Sequence, residues 1–318
     1  MTELIKPQGY DIIGDIHGHA DKLIALLEKM GYSHNGDCYR HPSRQVIFLG
    51  DFIDRGPQQR KTLETVMPMM KLGAALSVMG NHEYNALAYH TAHPKKPNTW
   101  LRPRSDKNTK QHKAFIEEYI ENGNAEDLEE VLEFFRSLPL WLELDELRVV
   151  HAAWHQPSME ALSENLTDKN TLTAHCLIES SEKGTRMYEA AETVLKGLEL
   201  TLPNGLSHKD KDGTERTEVR CWFFKDSAAT LADMIVHPDH FSEEIQTSTI
   251  NADMLAGYGQ HEKPIFVGHY WMSKAALESP KKLTANIACV DYSAGNGGDL
   301  VAYRWNGESV LQDDNFIY

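Results

Sequence analysis

The segment Gln45-Val-Ile-Phe-Leu-Gly50-Asp51-Phe-Ile-Asp54-Arg55-Gly56 changes character at a single residue. Val46 to Leu49 are apolar, and from Gly50 onward the chain carries two carboxylates, a guanidinium and two glycines. A short apolar run that stops at glycine reads as a strand buried in a sheet, opening at its carboxyl end onto a polar turn. The pattern recurs. Tyr10–Gly14 leads into Asp15-Ile-His17, Ala75–Gly80 into Asn81-His82-Glu83, Leu147–Val150 into His151, and Pro264–Gly268 into His269, while Ile287–Val290 is one more run of this kind.

Between the runs lie helical patterns over Ala20–Met30, Gln58–Lys71, Lys113–Glu121 and Ala125–Arg136. In the first, Leu23, Leu26, Leu27 and Met30 recur at helical spacing and form a face that would pack on a sheet. Alternation of strands with such helices predicts a layered α/β fold. From about His155 to Glu262 the pattern loosens: helical stretches near Ser180–Leu200 and Ser227–Ile235 flank the polar tract Ser207–Arg216, whose composition predicts a solvated loop or hairpin. No repeat or low-complexity linker interrupts the chain, so one domain over residues 1–318 is expected, with 156–262 as an insert within it.

At 41% hydrophobic and 25% charged residues, the 318-residue chain has ample material for a core. Its formal net charge of −15 argues against holding nucleic acid or anionic lipid by bulk attraction, so an anionic substrate would be captured by specific arginines and cations. Cys38, Cys176, Cys221 and Cys289 form no C-x-x-C pair, the usage of a reducing compartment. The first residues lack an apolar core of signal-peptide length, and no run approaches the roughly 20 apolar residues that span a bilayer. A cytoplasmic location and no membrane partner are expected.

Sites in open α/β sheets assemble outside the carboxyl ends of strands, so the five strand ends can converge. Carboxylate, imidazole and amide oxygen together suit manganese, iron, zinc or nickel rather than a thiolate-rich zinc site. Asp51 is central in sequence between two histidine-bearing clusters, the place from which a carboxylate can bridge two cations. Gly14, Gly50, Gly80 and Gly268 each precede a ligand candidate, where a missing Cβ lets the backbone turn sharply or approach an ion. Taken singly, Asp15-x-His17 is an ordinary strand-end turn, Asn81-His82 a turn cap, and His151 and His269 core histidines. Repetition at five strand ends is what those separate readings fail to explain.

The segments Gly14-Asp-Ile-His-Gly18, Gly50-Asp-Phe-Ile-Asp-Arg-Gly56, Gly80-Asn-His-Glu83, Val150-His-Ala152 and Gly268-His269 resemble the calcineurin-like metallophosphoesterases. More narrowly they resemble the phosphoprotein phosphatase branch, with its GDxHG, GDxxDRG and GNHE signatures, over residues 10–90, 138–155 and 264–305. The resemblance implies a four-layer α/β/β/α sandwich with a partly helical insert and two divalent metal ions. Manganese comes first among these, with iron, zinc and nickel as alternatives. By the family pattern Asp15, His17 and Asp51 hold one ion, and Asp51, Asn81, His151 and His269 hold the other. A hydroxide bridging the ions would attack the phosphorus of a phosphate monoester. His82 would protonate the leaving oxygen, held by Asp54, and Arg55 would clamp the phosphate. The stretch from Cys289 to Tyr303 is similar to the terminal strand pair of bacterial members, which places Asp291 to hydrogen-bond a metal-ligating histidine.

Eukaryotic-type protein phosphatases carry an arginine just before the GNHE segment, where this chain has Met79. Arg186 and Arg220 are the candidates to replace that clamp. Bacterial diadenosine tetraphosphate hydrolases, and the phosphatase module of bacterial polynucleotide kinase-phosphatases, also lack the arginine. Met79 weakens the protein-phosphatase reading, because one phosphate clamp is absent; the first expectation for the activity is still a serine/threonine protein phosphatase-like monoesterase. A bis(5'-nucleosyl) polyphosphate hydrolase and a polynucleotide-end phosphatase or phosphodiesterase are the enzymatic alternatives. An inactive phosphate-binding module is the alternative of another class, and the full ligand set together with Asp54 and His82 argues against it. Trp154 and Trp271, close behind two of the histidines, would either wall the pocket or pack in the core.

Overall fold

Strand periodicity, with alternate side chains on opposite faces, explains how both faces of two sheets come to be buried. A computed structural model describes residues 7–209, 215–225, 227–250, 257–272 and 280–318. Its two larger sheets are built from β1 (Gly9–Ile13), β2 (Arg44–Phe48), β3 (Ala75–Ser77), β4 (Trp141–Glu143), β5 (Arg148–Val150), β6 (Ile265–Val267), β7 (Ile287–Cys289), β8 (Ala302–Trp305) and β9 (Phe316–Ile317). The strand orders are β9-β8-β1-β2-β3 and β7-β6-β5-β4. β1, β2 and β3 run parallel, as do β5, β6 and β7, while β8, β9 and β4 are antiparallel additions at the edges.

Ile12 on β1 and its register partner Ile47 on β2 share one buried cluster with Val149, Phe266, Ala288 and Tyr303, which joins the inner faces of the two sheets. Their neighbours Ile13, Val46 and Phe48, with Ile265, Val267 and Ile287 of the second sheet, point the other way into a cluster shared with the helices. The helix Ala20–Lys29 buries Leu23, Leu26 and Leu27, and Gln59–Lys71 buries Leu63, Val66 and Met69. The helix Arg186–Lys196 buries Val194 and Leu195. The result is the expected α/β/β/α sandwich. On the helix side of β1, Asp11 is fully buried because Arg44 and Arg304 both donate to it, at 3.0 and 2.9 Å, and the Tyr32 hydroxyl adds a bond of 3.0 Å.

Three expectations need revision. The stretch Ser227–Ile235 contains only a single 3-10 turn, Leu231–Asp233. Asp233 Oδ2 accepts from Ala229 N and Thr230 N, and such local bonds draw the backbone away from a helix. The helical pattern near Ser180–Leu200 is helix only over Arg186–Lys196; past Gly197, at φ +94°, the chain turns into a strand, Leu198–Thr201, paired antiparallel with Glu218–Cys221. Lys113–Glu121 is α-helical to Ile116 and π-helical over Glu117–Glu121. In the polar tract His208–Lys209 pair antiparallel with Glu215–Arg216, while 210–214 lie outside the described residues. No helix among the described residues is long and apolar enough to cross a membrane.

Candidate metal centre

The parallel strands of each sheet end on a common edge, and the candidate ligands follow those ends: Asp15 and His17 after β1, Asp51 after β2, Asn81 after β3, His151 after β5 and His269 after β6. All six are buried or nearly so. The loops that present them are strained. Among the described residues ten non-glycine residues have positive φ, and seven of these are His17, Asp51, Asp54, Arg55, His269, Trp271 and Ser293. Left-handed backbone at bulky residues costs on the order of 1–3 kcal/mol each, so the surrounding contacts must hold it. Glu83 supplies part of that hold: its carboxylate accepts from the backbone N–H of Asp51 at 2.7 Å, Phe52 at 2.8 Å and Gly80 at 3.0 Å. Gly50 itself turns at φ +86°, and a Cβ at Gly268 would collide with Asp15 Oδ1.

Two histidines have their tautomers set by carbonyl groups, which only accept. His17 Nδ1 donates to Ile53 O at 2.9 Å and His151 Nδ1 donates to Leu49 O at 2.7 Å. In their neutral forms both rings therefore turn an Nε2 lone pair inward. The two lone pairs face the same atom, Asp51 Oδ2, at 3.5 Å from His17 and 3.6 Å from His151. Burial, followed by the charges of His82 and Arg55 and only partly offset by Asp51, lowers His17 to about 3, so its ring is neutral. Lone pairs facing a carboxylate repel unless a cation lies among them.

Other features fit the same need. Asp15 Oδ1 and His17 Nε2 are buried without a hydrogen-bond partner among the described residues. Burial, then Asp291 and Asp51, push the Asp15 carboxyl well above its ordinary range, a concentration of negative charge that divalent ions would relieve. Two sets of side chains could each hold an ion: His17, Asp51 and His82, and Asp51, His151 and His269, with the donor atoms of each set within 4.8 Å of one another. Asp51 belongs to both. Asn81 Oδ1 lies 3.2 Å from His151 Nε2 and 2.8 Å from His269 Nδ1.

His82 stands beside this cluster. Its backbone N–H donates to Asp51 Oδ1 at 2.9 Å, and its Nδ1 donates to Asp54 Oδ2 at 2.5 Å. Burial disfavours the imidazolium, but Asp51 and Asp54 outweigh burial and hold His82 above its ordinary value. Asp54 stays ionised well below the usual carboxylate range, because His112 and then His82 overcome the burial that opposes its charge.

Arg55 lies with its guanidinium 4.1 Å from the ring centre of Trp271. Arg220 donates from Nη1 to His269 Nε2 at 2.9 Å and from Nη2 to Glu199 at 2.6 Å. Arg55, Arg220, His269 and Trp271 line one cavity of about 360 Å³ together with Ile235, His237, His240 and Phe241. Arg186 is not part of this arrangement. It opens its helix as an exposed residue, and Arg102 instead lines the crevice beside His82 and Asp54. Asp291 also differs from expectation: its carboxylate accepts from the backbone N–H of Trp271 at 2.8 Å and of Ser293 at 2.9 Å, so it braces the His269 loop through the main chain rather than through an imidazole. Trp154 is core, with Arg148 over its ring at 4.8 Å, and Met79 is fully buried. His112, His90, Arg102 and the bracing role of Glu83 were missed from sequence. Glu83 at least carried a signal, an acid inside an otherwise ligand-bearing tetrapeptide.

The profile of the calcineurin-like phosphoesterase family matches residues 10–197, and the chain belongs to that family. Over 74 residues it is 43% identical to the asymmetrical bis(5'-nucleosyl)-tetraphosphatase PrpE of Halalkalibacterium halodurans, covering 23% of this chain and 30% of that protein. Over 146 residues it is 32% identical to the protein of the same name from Bacillus subtilis, covering 45% and 57%. The chain thus spans less than two thirds of the length of either relative. A crystal structure of a cold-active protein tyrosine phosphatase, 18% identical, superposes with a TM-score of 0.53 over 96% of this chain and 81% of that one, a likeness of fold.

Proposed function

We propose that the chain is a binuclear metal-dependent phosphatase that hydrolyses phosphate monoesters, with Asp15, His17 and Asp51 on one ion and Asp51, Asn81, His151 and His269 on the other. The observation that carries this reading is the convergence of Nε2 of His17 and Nε2 of His151 on one oxygen of Asp51. When bound, a pair of divalent ions supplies Lewis acidity toward phosphoryl oxygens and a water made nucleophilic near neutral pH. The donor set contains no thiolate, so manganese is the first choice, with iron, zinc or nickel able to occupy the same nitrogen and oxygen ligands.

The protein's own groups divide the remaining work. Arg55 and Arg220 bind the phosphate, and for Arg220 this means leaving His269 Nε2 for a substrate oxygen. His82 gives its proton to the leaving oxygen, while Asp54 holds Nδ1 so that Nε2 faces the substrate. Residues 156–262 act as an insert of a single domain, and their contribution to the cavity wall selects the substrate. Four buried cysteines without a disulfide accord with a cytoplasmic protein.

A second reading is a bis(5'-nucleosyl) polyphosphate hydrolase. It is favoured by the names of the relatives from H. halodurans and B. subtilis and by a cavity whose arginine end adjoins aromatic and imidazole walls at Trp271, Phe241, His237 and His240. A substrate panel with manganese tests both. An aryl phosphate and a phosphopeptide turned over faster than diadenosine tetraphosphate support the monoesterase, and the reverse order supports the second reading. No turnover of any member, with manganese, nickel or zinc supplied, would leave an inactive phosphate-binding module.

A further inference from the structure

Asp54 carries a second imidazole. Its Oδ1 accepts from Nδ1 of His112 at 2.8 Å, on the other side of the carboxylate from the 2.5 Å bond with His82. His112 sits where the helix Asp106–Gln111 meets the helix Lys113–Ile116 and is 4% exposed. Its ring stacks on Phe115 at 4.7 Å and stands edge-on to Tyr89 at 5.2 Å. Nε2 of His112 meets Nε2 of His90 at 3.2 Å.

The donors follow from the chemistry. An ionised Asp54 only accepts, so both Nδ1 atoms donate to it. Burial, ahead of the charges of His112 and Arg104, lowers His90 to about 3, so His90 is neutral. One proton lies between the two Nε2 atoms, so a hydrogen bond joins the two rings. His90 is thus bonded to His112, and His112 donates to Asp54. An apolar side chain would fill the space between Phe115 and Tyr89 without desolvating two imidazoles, so packing alone gives no reason for histidine here.

We propose that His112 is a positioning residue for phosphoester cleavage: backed by His90, it fixes the Asp54 carboxylate so that Oδ2 holds His82 with Nε2 toward the leaving oxygen. The inference rests on the reading of His82 as general acid. Without His112, a buried carboxylate oxygen loses its donor and the carboxylate is free to rotate away from His82. The loss belongs in kcat for substrates whose leaving oxygen needs a proton, and not in KM.

The test uses the manganese-loaded full chain and its His112→Leu, His112→Gln and His112→Asn variants, with phenyl phosphate as the poor leaving group and p-nitrophenyl phosphate as the good one. His112→Leu is expected to lose roughly tenfold in kcat on phenyl phosphate and at most about twofold on p-nitrophenyl phosphate, with KM and metal content unchanged. Asparagine, whose amide nitrogen occupies the place of Nδ1, should restore most of the rate. Glutamine, whose amide reaches toward His90 instead, should not. Equal losses for leucine, glutamine and asparagine, or equal losses on the two substrates, overturn the proposal and leave His112 a packing residue. His82→Ala is the control. If that variant shows no dependence on leaving group, the general-acid reading falls and this inference with it; if it does and His112→Leu does not, only the role of His112 falls.

Discussion

Nε2 of His17 faces Oδ2 of Asp51 at 3.5 Å with a lone pair, because the proton of the neutral ring lies on Nδ1 and is donated to the Ile53 carbonyl. Two acceptors held together in a buried site raise the energy of the fold unless a cation joins them. The geometry around Asp51 repeats at His151, so a single carboxylate oxygen connects two places where an ion would be stabilising. From this relationship follow consequences for metal content, catalysis and stability.

Asp51→Ala removes the ligand common to both sets. Metal content is expected to fall below half of the wild-type value, and turnover of an aryl phosphate by more than about a thousandfold, since binding residues alone supply little of the rate. Elemental analysis and a steady-state assay on the same preparation measure both. A variant that keeps both ions and normal turnover contradicts the ligand assignment.

His82→Ala keeps the six proposed ligands and removes the proposed proton donor. A loss of about 10²–10⁴ in kcat is expected on a poor leaving group, and a much smaller one on p-nitrophenyl phosphate. A plot of log kcat against leaving-group acidity should steepen in the variant; parallel plots for variant and wild type would count against His82 as the acid.

Arg220→Met removes a charge-assisted donor without shortening the side chain greatly. KM for phosphomonoesters should rise roughly tenfold and inhibition by inorganic phosphate should weaken by a similar factor, with metal content retained. Loss of metal with no change in phosphate inhibition would instead make Arg220 a support for His269.

Stability should depend on pH through His90. Burial lowers its folded value from 6.5 to about 3, so across that window the unfolded chain binds a proton that the folded chain refuses. Stability contributed by His90 is thus complete above its unfolded value and is lost as pH falls toward the folded one. Urea unfolding of the metal-free protein at about pH 7 and about pH 5 should show wild type losing more stability on acidification than His90→Gln. Equal losses would mean that His90 titrates normally in the folded protein.

Much of this site was legible because each strand ends abruptly. Leu49-Gly50-Asp51 and Val267-Gly268-His269 switch from core to candidate ligand within two residues, and that switch is visible in the sequence itself. The first two helices lie within a residue of their expected bounds, since Leu23, Leu26 and Leu27 advertise one apolar face. Asn81–His90 was not read as a helix because it is buried on nearly every side and has no polar stripe to set its period. His112 lies 58 residues from Asp54, and only the packing of its helix junction brings them together. Arg186 stays outside the cavity lining for a related reason: charge and approximate location are local properties, whereas facing the cavity depends on how its helix is seated. Asp291 meets backbone N–H groups rather than the expected imidazole, because a carboxylate next to a tight loop finds main-chain donors first.

The most direct measurement is anomalous scattering from a crystal of the full chain grown with manganese. Two peaks about 3.5–4 Å apart are expected on either side of Asp51 Oδ2, one toward Asp15 and His17 and the other toward Asn81, His151 and His269. A single peak, or peaks that leave Asp51 without an ion on each side, would contradict the ligand assignment.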